Sequence, residues 1–222
     1  MSTVLTTRDG RSVPGYEAKP ASKPRGAVVL LQEWWGVNAQ IKGVADRLAA
    51  EGYRVFVPDL FRGRVAQSAD EANHLMSGLD FKGACHGDIQ AALDALSADG
   101  LRCGVMGFCM GGALTVLSAA TLAGVDGAVC YYGVPPEDAA DLSKIRAPML
   151  GHFATRDYWC NAAAVARLEA GLTASGAAHA IYWYEADHAF FNEKRKEVYV
   201  AEHAALSWAR TLAFFAEHVG RG

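Results

Sequence analysis

The chain has 222 residues, of which 51% are apolar and 20% are charged, as is ordinary for a globular protein. Twenty-one basic residues stand against 24 acidic ones, and the formal net charge of −3 removes any general electrostatic argument for nucleic acid or an anionic membrane as the main partner. With 10% aromatic residues, the composition also excludes an intrinsically disordered chain.

The amino terminus and the cysteines indicate the cellular compartment of the protein. The N-terminal MSTVLTTRDG lacks the basic stretch and apolar core of a signal peptide, and no apolar run approaches the roughly 18 residues of a membrane span. The five cysteines are odd in number, irregular in spacing and without a CxxC pair, so neither a zinc site nor a disulfide framework is indicated. We therefore expect free thiols in a reducing cytoplasm, with no metal and no cofactor.

Hydrophobic patterning predicts strands that alternate with helices after an initial hairpin about Asp9-Gly10. In chain order, the predicted elements are strands at 3–7, 11–18 and 26–31, a helix at 38–51, a strand at 53–58, a helical stretch at 68–98, a strand at 102–107, a helix at 111–123, strands at 127–132 and 149–153, a helix at 162–175, a strand at 180–184 and a helix at 196–218. This alternation implies a mostly parallel sheet with helices on both faces, and no linker divides it, so residues 1–222 are predicted to form a single α/β domain. Such sheets bind ligands at the carboxyl ends of their strands.

A G-x-C-x-G segment at Gly107–Gly111 places Cys109 between a predicted strand and a predicted helix. A tight strand-to-helix turn strains the central residue, and its flanking glycines avoid clashes, so the side chain stands exposed above the sheet edge. The N-terminus of the helix then favours a thiolate or an oxyanion. The motif alone leaves a second interpretation open, a small buried thiol in a glycine-rich turn. Cys85, Cys103 and Cys130 fall inside predicted elements and are expected to be packing residues.

An aspartate and a histidine follow later strands in the nucleophile–acid–histidine order of an α/β hydrolase triad. Asp157 comes just after the strand at 149–153, and His188 comes just after the strand at 180–184. His188 would take the thiol proton, and Asp157 would fix the tautomer and stabilise the imidazolium. A loop histidine is more often solvated, but none of the other six histidines has this position. Asp187 is a poor orienting group, because neighbours in sequence point apart.

The loop after the strand at 26–31 reads QEWWG. In this fold an amide of that loop joins the amide after the nucleophile in the oxyanion hole, so the backbone N–H groups of Trp34 and Met110 are the predicted donors. Glu33 would then lie within reach of the thiol, where its carboxylate could hold the proton or pair with a cation until substrate binds. The alternative is a surface glutamate. Trp34 and Trp35 are interpreted as core or as a pocket wall that excludes water.

Several segments together resemble the dienelactone hydrolase (carboxymethylenebutenolidase) family of the α/β hydrolase superfamily. They are QEWWG, PDLFRGR at 58–64, GFCMGG at 107–112, YYG at 131–133, Asp157 and WYEADHAFFN, in family order over nearly the whole chain. The resemblance implies a three-layer α/β hydrolase fold without a large cap domain, and a triad of Cys109, His188 and Asp157. It also implies that Glu33 holds the resting thiol and swings away when substrate binds. Family members cleave a cyclic enol ester that carries a free carboxylate.

The sequence departs from the family at the two arginines that grip that carboxylate. The position four residues after the histidine is Asn192, and the position in the helix near residue 70 corresponds to Asp70. An anionic substrate would lose two charge-assisted contacts, so the sequence predicts the chemistry but not the lactone. The cations that could substitute are Arg62, Arg64, Lys194 and Arg195, with Arg156 equally ambiguous. The remaining expected pocket residues are Trp35, Arg62, Tyr132 and Phe190.

These features predict a cytoplasmic hydrolase that cleaves a small ester or lactone through an acyl-cysteine intermediate. It would act as a monomer or small homo-oligomer, without nucleic acid or membrane. Two alternatives stay open: a thiol-based redox or electrophile sensor with Cys160 as the resolving thiol of Cys109, and a non-catalytic binding domain. A sensor has no need for Asp157 and His188 at the sheet edge, which favours the hydrolase.

Overall fold

The structure, a computed structural model, describes residues 2–6, 10 and 12–220. An eight-stranded sheet has the order β1-β2-β4-β3-β5-β6-β7-β8. The strands are β1 Ser2–Thr6, β2 Ser12–Ala18, β3 Gly26–Leu31, β4 Tyr53–Pro58, β5 Cys103–Phe108, β6 Gly127–Tyr131, β7 Met149–Ala154 and β8 His179–Tyr184. β2 is antiparallel to both of its neighbours, and the remaining pairs are parallel. The two strands of the predicted hairpin pair with each other, whereas Asp9 of the predicted turn lies outside the described residues.

Helices cover both faces of this sheet. They are α1 Ala39–Ala50, α2 Ala69–Ser77, α3 Phe81–Gly83, α4 Gln90–Ser97, α5 Met110–Thr121, α6 Ala162–Ser175 and α7 Ala201–His218, with a π-helical turn at Ala84–Ile89 and a 3-10 turn at Leu142–Lys144. Apolar clusters join α1 and α7 to one face and α2, α4, α5 and α6 to the other. The predicted three-layer arrangement is therefore confirmed. In the part of the chain that the structure describes, no insertion between these elements is long enough to form a cap domain.

The packing of β3 explains why its sequence is continuously apolar. Val28 and Leu30 pack into the cluster with α1 and α7, whereas Val29 and Leu31 pack into the cluster with α4 and α5. All four side chains are fully buried, because both faces of the strand are covered. Among the described helices, none combines the length and the apolar composition needed to cross a membrane.

The long helical stretch predicted at 68–98 is interrupted. Ser68 caps α2 by accepting a hydrogen bond from the Glu71 amide (3.2 Å), and α2 ends at Ser77 with Gly78 as its C-cap. Asp80 then caps the next helical turn through the Gly83 amide (2.9 Å). The two caps satisfy amides that a break in the helix exposes, so the predicted stretch is divided between Ser77 and Phe81.

The last helix begins at Ala201 rather than at residue 196. The Val200 amide donates to the Phe190 carbonyl (3.1 Å), and the Arg195 amide donates to the Asn192 carbonyl (3.0 Å). These bonds hold residues 193–200 in turns against the loop that follows β8. The segment that was predicted to extend α7 therefore contributes to the sheet edge, where ligands are expected.

The sheet reverses its order between β3 and β5. The chain leaves β3 for β4 on one side and later enters β5 on the other side, where Leu31 lies beside Gly107. Loops that leave two such neighbouring strands diverge and form a crevice at their carboxyl ends. Glu33 follows β3 and Cys109 follows β5, so both emerge at this crevice.

Candidate active site

Cys109 lies in the tight turn between β5 and α5. Its backbone is strained, with φ 54° and ψ −114°, a conformation that L-residues rarely adopt. A Cβ on Gly107 would lie 2.1 Å from the carbonyl oxygen of Gly111, and a Cβ on Gly111 would lie 2.5 Å from that of Leu31. Only glycine allows these close backbone contacts, which hold the turn so that the thiol lines a cavity.

The surroundings of the Cys109 thiol disfavour its ionised form. Burial raises its pKa well above the usual value and the charge of Glu33 raises it further, while the Met110 amide lowers it by bonding the sulfur. No hydrogen bond joins Cys109 Sγ to the His188 ring, both of which lie within the described range. In this arrangement the thiol has no direct hydrogen bond to the imidazole that could accept its proton.

His188 and Asp157 are joined by a hydrogen bond of 2.5 Å between Nδ1 and Oδ2. The other oxygen of Asp157 accepts the Trp159 amide (2.8 Å) and the Cys160 amide (3.1 Å). Burial opposes ionisation of Asp157, but the bond from His188 and the two amides outweigh it, so the pKa of Asp157 is lower than usual. With Nδ1 held by a carboxylate, Nε2 is the nitrogen that can accept a proton.

Backbone pairing fixes the positions of these two loops. The Thr155 amide donates to the Tyr184 carbonyl (2.9 Å), and the Arg156 amide donates to the Ala186 carbonyl (3.1 Å). The two bonds extend the β7–β8 ladder beyond the strands. They bring Asp157 and His188 together although 31 positions separate them in the chain.

Glu33 is buried rather than on the surface, with 3% of its area exposed. One carboxyl oxygen accepts Asn192 Nδ2 (2.7 Å) and the other accepts the Tyr132 hydroxyl (3.3 Å). Burial raises the pKa of Glu33, while these two donors and the His188 charge oppose that rise without cancelling it. Asn192, where the family resemblance implies a substrate-binding arginine, therefore holds Glu33 instead.

The two predicted oxyanion donors border the same site. Trp34 lines the cavity beside Cys109, and its amide donates to no acceptor within residues 2–6, 10 and 12–220. Met110 is the first residue of α5, where backbone amides lack helical partners. Among those residues the Trp34 amide thus has no acceptor, whereas the Met110 amide bonds the Cys109 sulfur.

The cavity has a volume of about 460 Å³. Its walls are formed by Glu33, Trp34, Trp35, Cys109, Arg156, Tyr158, Trp159, Asp187, His188, Ala189, Arg195 and Val198. Of the four expected pocket residues, only Trp35 belongs to this wall. Tyr132 and Phe190 are fully buried behind it, with the Tyr132 ring 5.0 Å from that of His188. Arg62 lies elsewhere and pairs with Asp88 at 2.7 Å.

Sequence reasoning missed the aromatic pair Tyr158-Trp159 in this wall. The available signal was two bulky aromatic residues directly after Asp157, in a loop that follows a strand. Arg156 also lines the wall and pairs with Asp187 at 3.2 Å, so that aspartate engages a cation and not His188. Asp70 is exposed on α2 and does not belong to the wall.

The other cysteines are buried, and Cys160 has 5% of its area exposed. Burial raises the pKa of Cys160 to about 12, which disfavours the thiolate that a resolving cysteine needs. Within the described ranges, no group of three or more His, Cys, Asp or Glu side chains is arranged to hold a metal ion.

Comparison with known proteins gives a consistent result. The profile of the dienelactone hydrolase family matches residues 13–219. The protein usf of Aquifex pyrophilus is 32% identical over 223 residues, covering 96% of each chain. The carboxymethylenebutenolidase of Pseudomonas putida is 30% identical, covering 96% of this chain and 94% of its own. A crystal structure of a dienelactone hydrolase-like promiscuous phosphotriesterase from metagenomic libraries has a TM-score of 0.86 and 25% identity, covering 99% of both chains.

The profile match spans almost the entire sheet and every loop that forms the cavity wall. The relatives align over nearly their full lengths, so the likeness is not confined to a shared fragment. This chain therefore belongs to the dienelactone hydrolase family, has the α/β hydrolase fold, and is a hydrolase of esters or lactones.

Proposed function

We propose that the chain cleaves a small ester or lactone through an acyl-cysteine intermediate on Cys109. One observation carries the proposal: a cysteine in a strained turn at the start of α5 shares a cavity with His188, which is held by Asp157. Nucleophile, base and orienting carboxylate are the three parts of a covalent acyl-transfer site.

The reaction would follow from these positions. His188 Nε2 takes the proton of Cys109, and the thiolate attacks the ester carbonyl. The oxyanion forms beside the amides of Trp34 and Met110, and its collapse expels the alcohol, which takes the proton from His188. His188 then removes a proton from water, and the hydroxide attacks the thioester. The carboxylic acid leaves and the sulfur regains its proton.

Glu33 would keep the thiol inactive between turnovers. Its charge raises the pKa of Cys109, and Asn192 and Tyr132 hold its carboxyl group in place. A substrate that displaces Glu33 would remove this charge, so the thiolate would become easier to form only when substrate is present.

Replacing Cys109 with alanine tests the proposal. Cys109→Ala should lower kcat/KM for p-nitrophenyl acetate by about a thousandfold, because it removes the attacking atom while leaving the cavity. Brief reaction of the wild type followed by acid quenching should show an acyl adduct on Cys109 by mass spectrometry. Cys103→Ala, which removes a buried strand thiol, serves as the matched control and should stay active. Undiminished turnover by Cys109→Ala would refute the assignment.

A further inference from the structure

One side of the cavity is a continuous aromatic surface. The ring of Trp159 lies 6.1 Å from the His188 ring and 6.1 Å from the Trp34 ring, and Trp34 lies 5.2 Å from Trp35. Trp159 is 48% exposed and Tyr158 is 79% exposed, which is unusual for such large side chains. Apolar area left in water beside a reactive group is typical of a surface that a ligand covers.

The position of this surface is fixed by the catalytic residues. The Trp159 amide donates to the same Asp157 carboxylate that holds His188. The main chain of Trp159 is therefore held by the carboxylate that orients His188. A substrate whose carbonyl lies at Cys109 places its adjoining groups against Trp159, since both residues line one cavity of about 460 Å³.

The cations of the cavity already have anionic partners. Arg156 lies 3.2 Å from Asp187 and 3.9 Å from Glu185, and Arg195 lies 2.8 Å from Glu197. The hydrogen bond with Asp187 also raises the pKa of Arg156. An anionic substrate would have to compete with carboxylates that sit on the same guanidinium groups.

A buried carboxyl group further disfavours an anionic substrate. Glu33 lines the floor of the cavity, and its direct partners are the neutral side chains of Asn192 and Tyr132. Any negative charge on Glu33 faces an entering substrate without a hydrogen-bonded cation to offset it. A carboxylate on the substrate would meet a wall whose positive groups are paired and whose floor is acidic.

We propose that the cavity selects uncharged esters that carry an aromatic ring, with the ring against Trp159. The proposal deepens the proposed function and rests on it, because it concerns substrates of the same Cys109 site. Trp159 and Asp187 are then specificity-determining residues, the first by contact with the ring and the second by cancelling the charge of Arg156.

Vinyl esters provide matched substrates, because they share a leaving group that is not aromatic and release acetaldehyde, which a coupled dehydrogenase detects. Vinyl 3-phenylpropanoate should have a higher kcat/KM than vinyl 3-cyclohexylpropanoate. The hydrophobic effect alone predicts no such preference, because the cyclohexyl ring is at least as apolar as the phenyl ring. The methyl vinyl diester of succinic acid should exceed the monovinyl ester with its free carboxylate by about tenfold.

Two variants with matched controls identify the residues responsible. Trp159→Ala should lower the phenyl-to-cyclohexyl ratio by about three- to tenfold, the range expected for one aromatic contact. Trp183→Ala, which removes a tryptophan that is 42% exposed outside the cavity, should leave the ratio unchanged. Asp187→Asn should shift the charge preference toward the free carboxylate by about fivefold. Glu193→Gln, which removes an exposed partner of Lys194, should leave the charge preference unchanged.

Vinyl acetate distinguishes a failure of the substrate preference from a failure of the proposed function. Hydrolysis of vinyl acetate that depends on Cys109, together with a preference for the free acid or the saturated ring, would overturn the inference and leave the proposed function standing. Equal ratios in Trp159→Ala and Trp183→Ala would overturn it as well. Hydrolysis that does not depend on Cys109 would overturn both.

Discussion

Asn192 illustrates how a single side chain sets the charge balance of the site. Its amide donates to Glu33 at 2.7 Å, and its carbonyl accepts the Lys194 amide at 3.0 Å. The side chain is therefore oriented at both ends, and it presents a neutral donor to a buried acid. An arginine at this position would bring a full positive charge to Glu33.

Glu33→Gln should make Cys109 easier to alkylate. After burial, the charge of Glu33 contributes most to raising the pKa of this thiol, so its removal lowers that pKa and increases the thiolate fraction at a given pH. We expect iodoacetamide to modify Cys109 about fivefold faster at pH 8, as followed by peptide mass analysis. The exposed Glu193→Gln serves as the control. An unchanged or slower rate would show that Glu33 promotes, rather than restrains, thiolate formation.

The sequence was sufficient to select candidate residues for the site but not to predict their contacts. Cys109, Asp157 and His188 could be selected because each follows a strand and the order in the chain fits a triad. The bond between Asn192 and Glu33 joins residues 159 positions apart, and no local pattern indicates it. Its formation depends on how two loops pack at the same edge.

At the scale of elements, the β5–α5 turn depends on backbone contacts with β3. The carbonyl oxygens of Leu31 and Gln32 lie 2.5 and 2.6 Å from where a Cβ on Gly111 would be. Helix α5 thus approaches the end of β3 more closely than any side chain allows. This approach brings Cys109, at the start of α5, to the cavity that Trp34 also lines.

Gly111→Ala should therefore damage both stability and catalysis. The added methyl group must push α5 away from β3, and we expect a lower Tm together with a fall in kcat/KM of at least tenfold. Gly43→Ala is the matched control, because Gly43 lies inside α1 with no atom within 4 Å of the added Cβ. It should stabilise the protein by about 1 kcal/mol, since alanine favours the helix. Differential scanning calorimetry and steady-state kinetics report the two effects, and a neutral Gly111→Ala would contradict the explanation.

The boundaries of the helices and strands show which segments the sequence pattern predicts correctly and which it does not. Helix α6 and strands β3 and β4 begin and end where their periodicity and capping residues predict. Residues 196–200 have a helical pattern but form turns, because the Val200 amide bonds the Phe190 carbonyl and not a preceding turn of helix. Tertiary hydrogen bonds outweighed local propensity in this segment.

At the scale of the whole molecule, a buried polar network connects the sheet to the last helix. His152 on β7 bonds the Tyr184 hydroxyl of β8 (2.9 Å) and the Thr211 hydroxyl of α7 (3.2 Å). Thr211 also bonds the Tyr131 hydroxyl of β6 at 2.9 Å. Three strands and α7 are thus joined through one fully buried imidazole.

This histidine should make the protein sensitive to acid. Burial lowers the pKa of His152 to about 3, whereas the unfolded chain has a value near 6.5. The unfolded state therefore binds the proton first, and stability falls as pH decreases from about 6.5 toward 3, by about 2 kcal/mol between pH 8 and pH 5 from this group. His152→Gln should be less stable at pH 8 but lose less on acidification. Urea unfolding at both pH values measures the difference, and equal losses in the two proteins would contradict the assignment.

The carboxylate of Asp157 has a consequence for redesigning this enzyme. It binds the amides of residues 159 and 160 as well as the imidazole, so changing the length of this loop would misplace the His188 ring. Tyr158 lies inside the same loop with 79% of its area exposed, and its identity is free of that constraint. A library that varies position 158 and keeps the loop length can therefore explore new acyl groups while turnover is preserved.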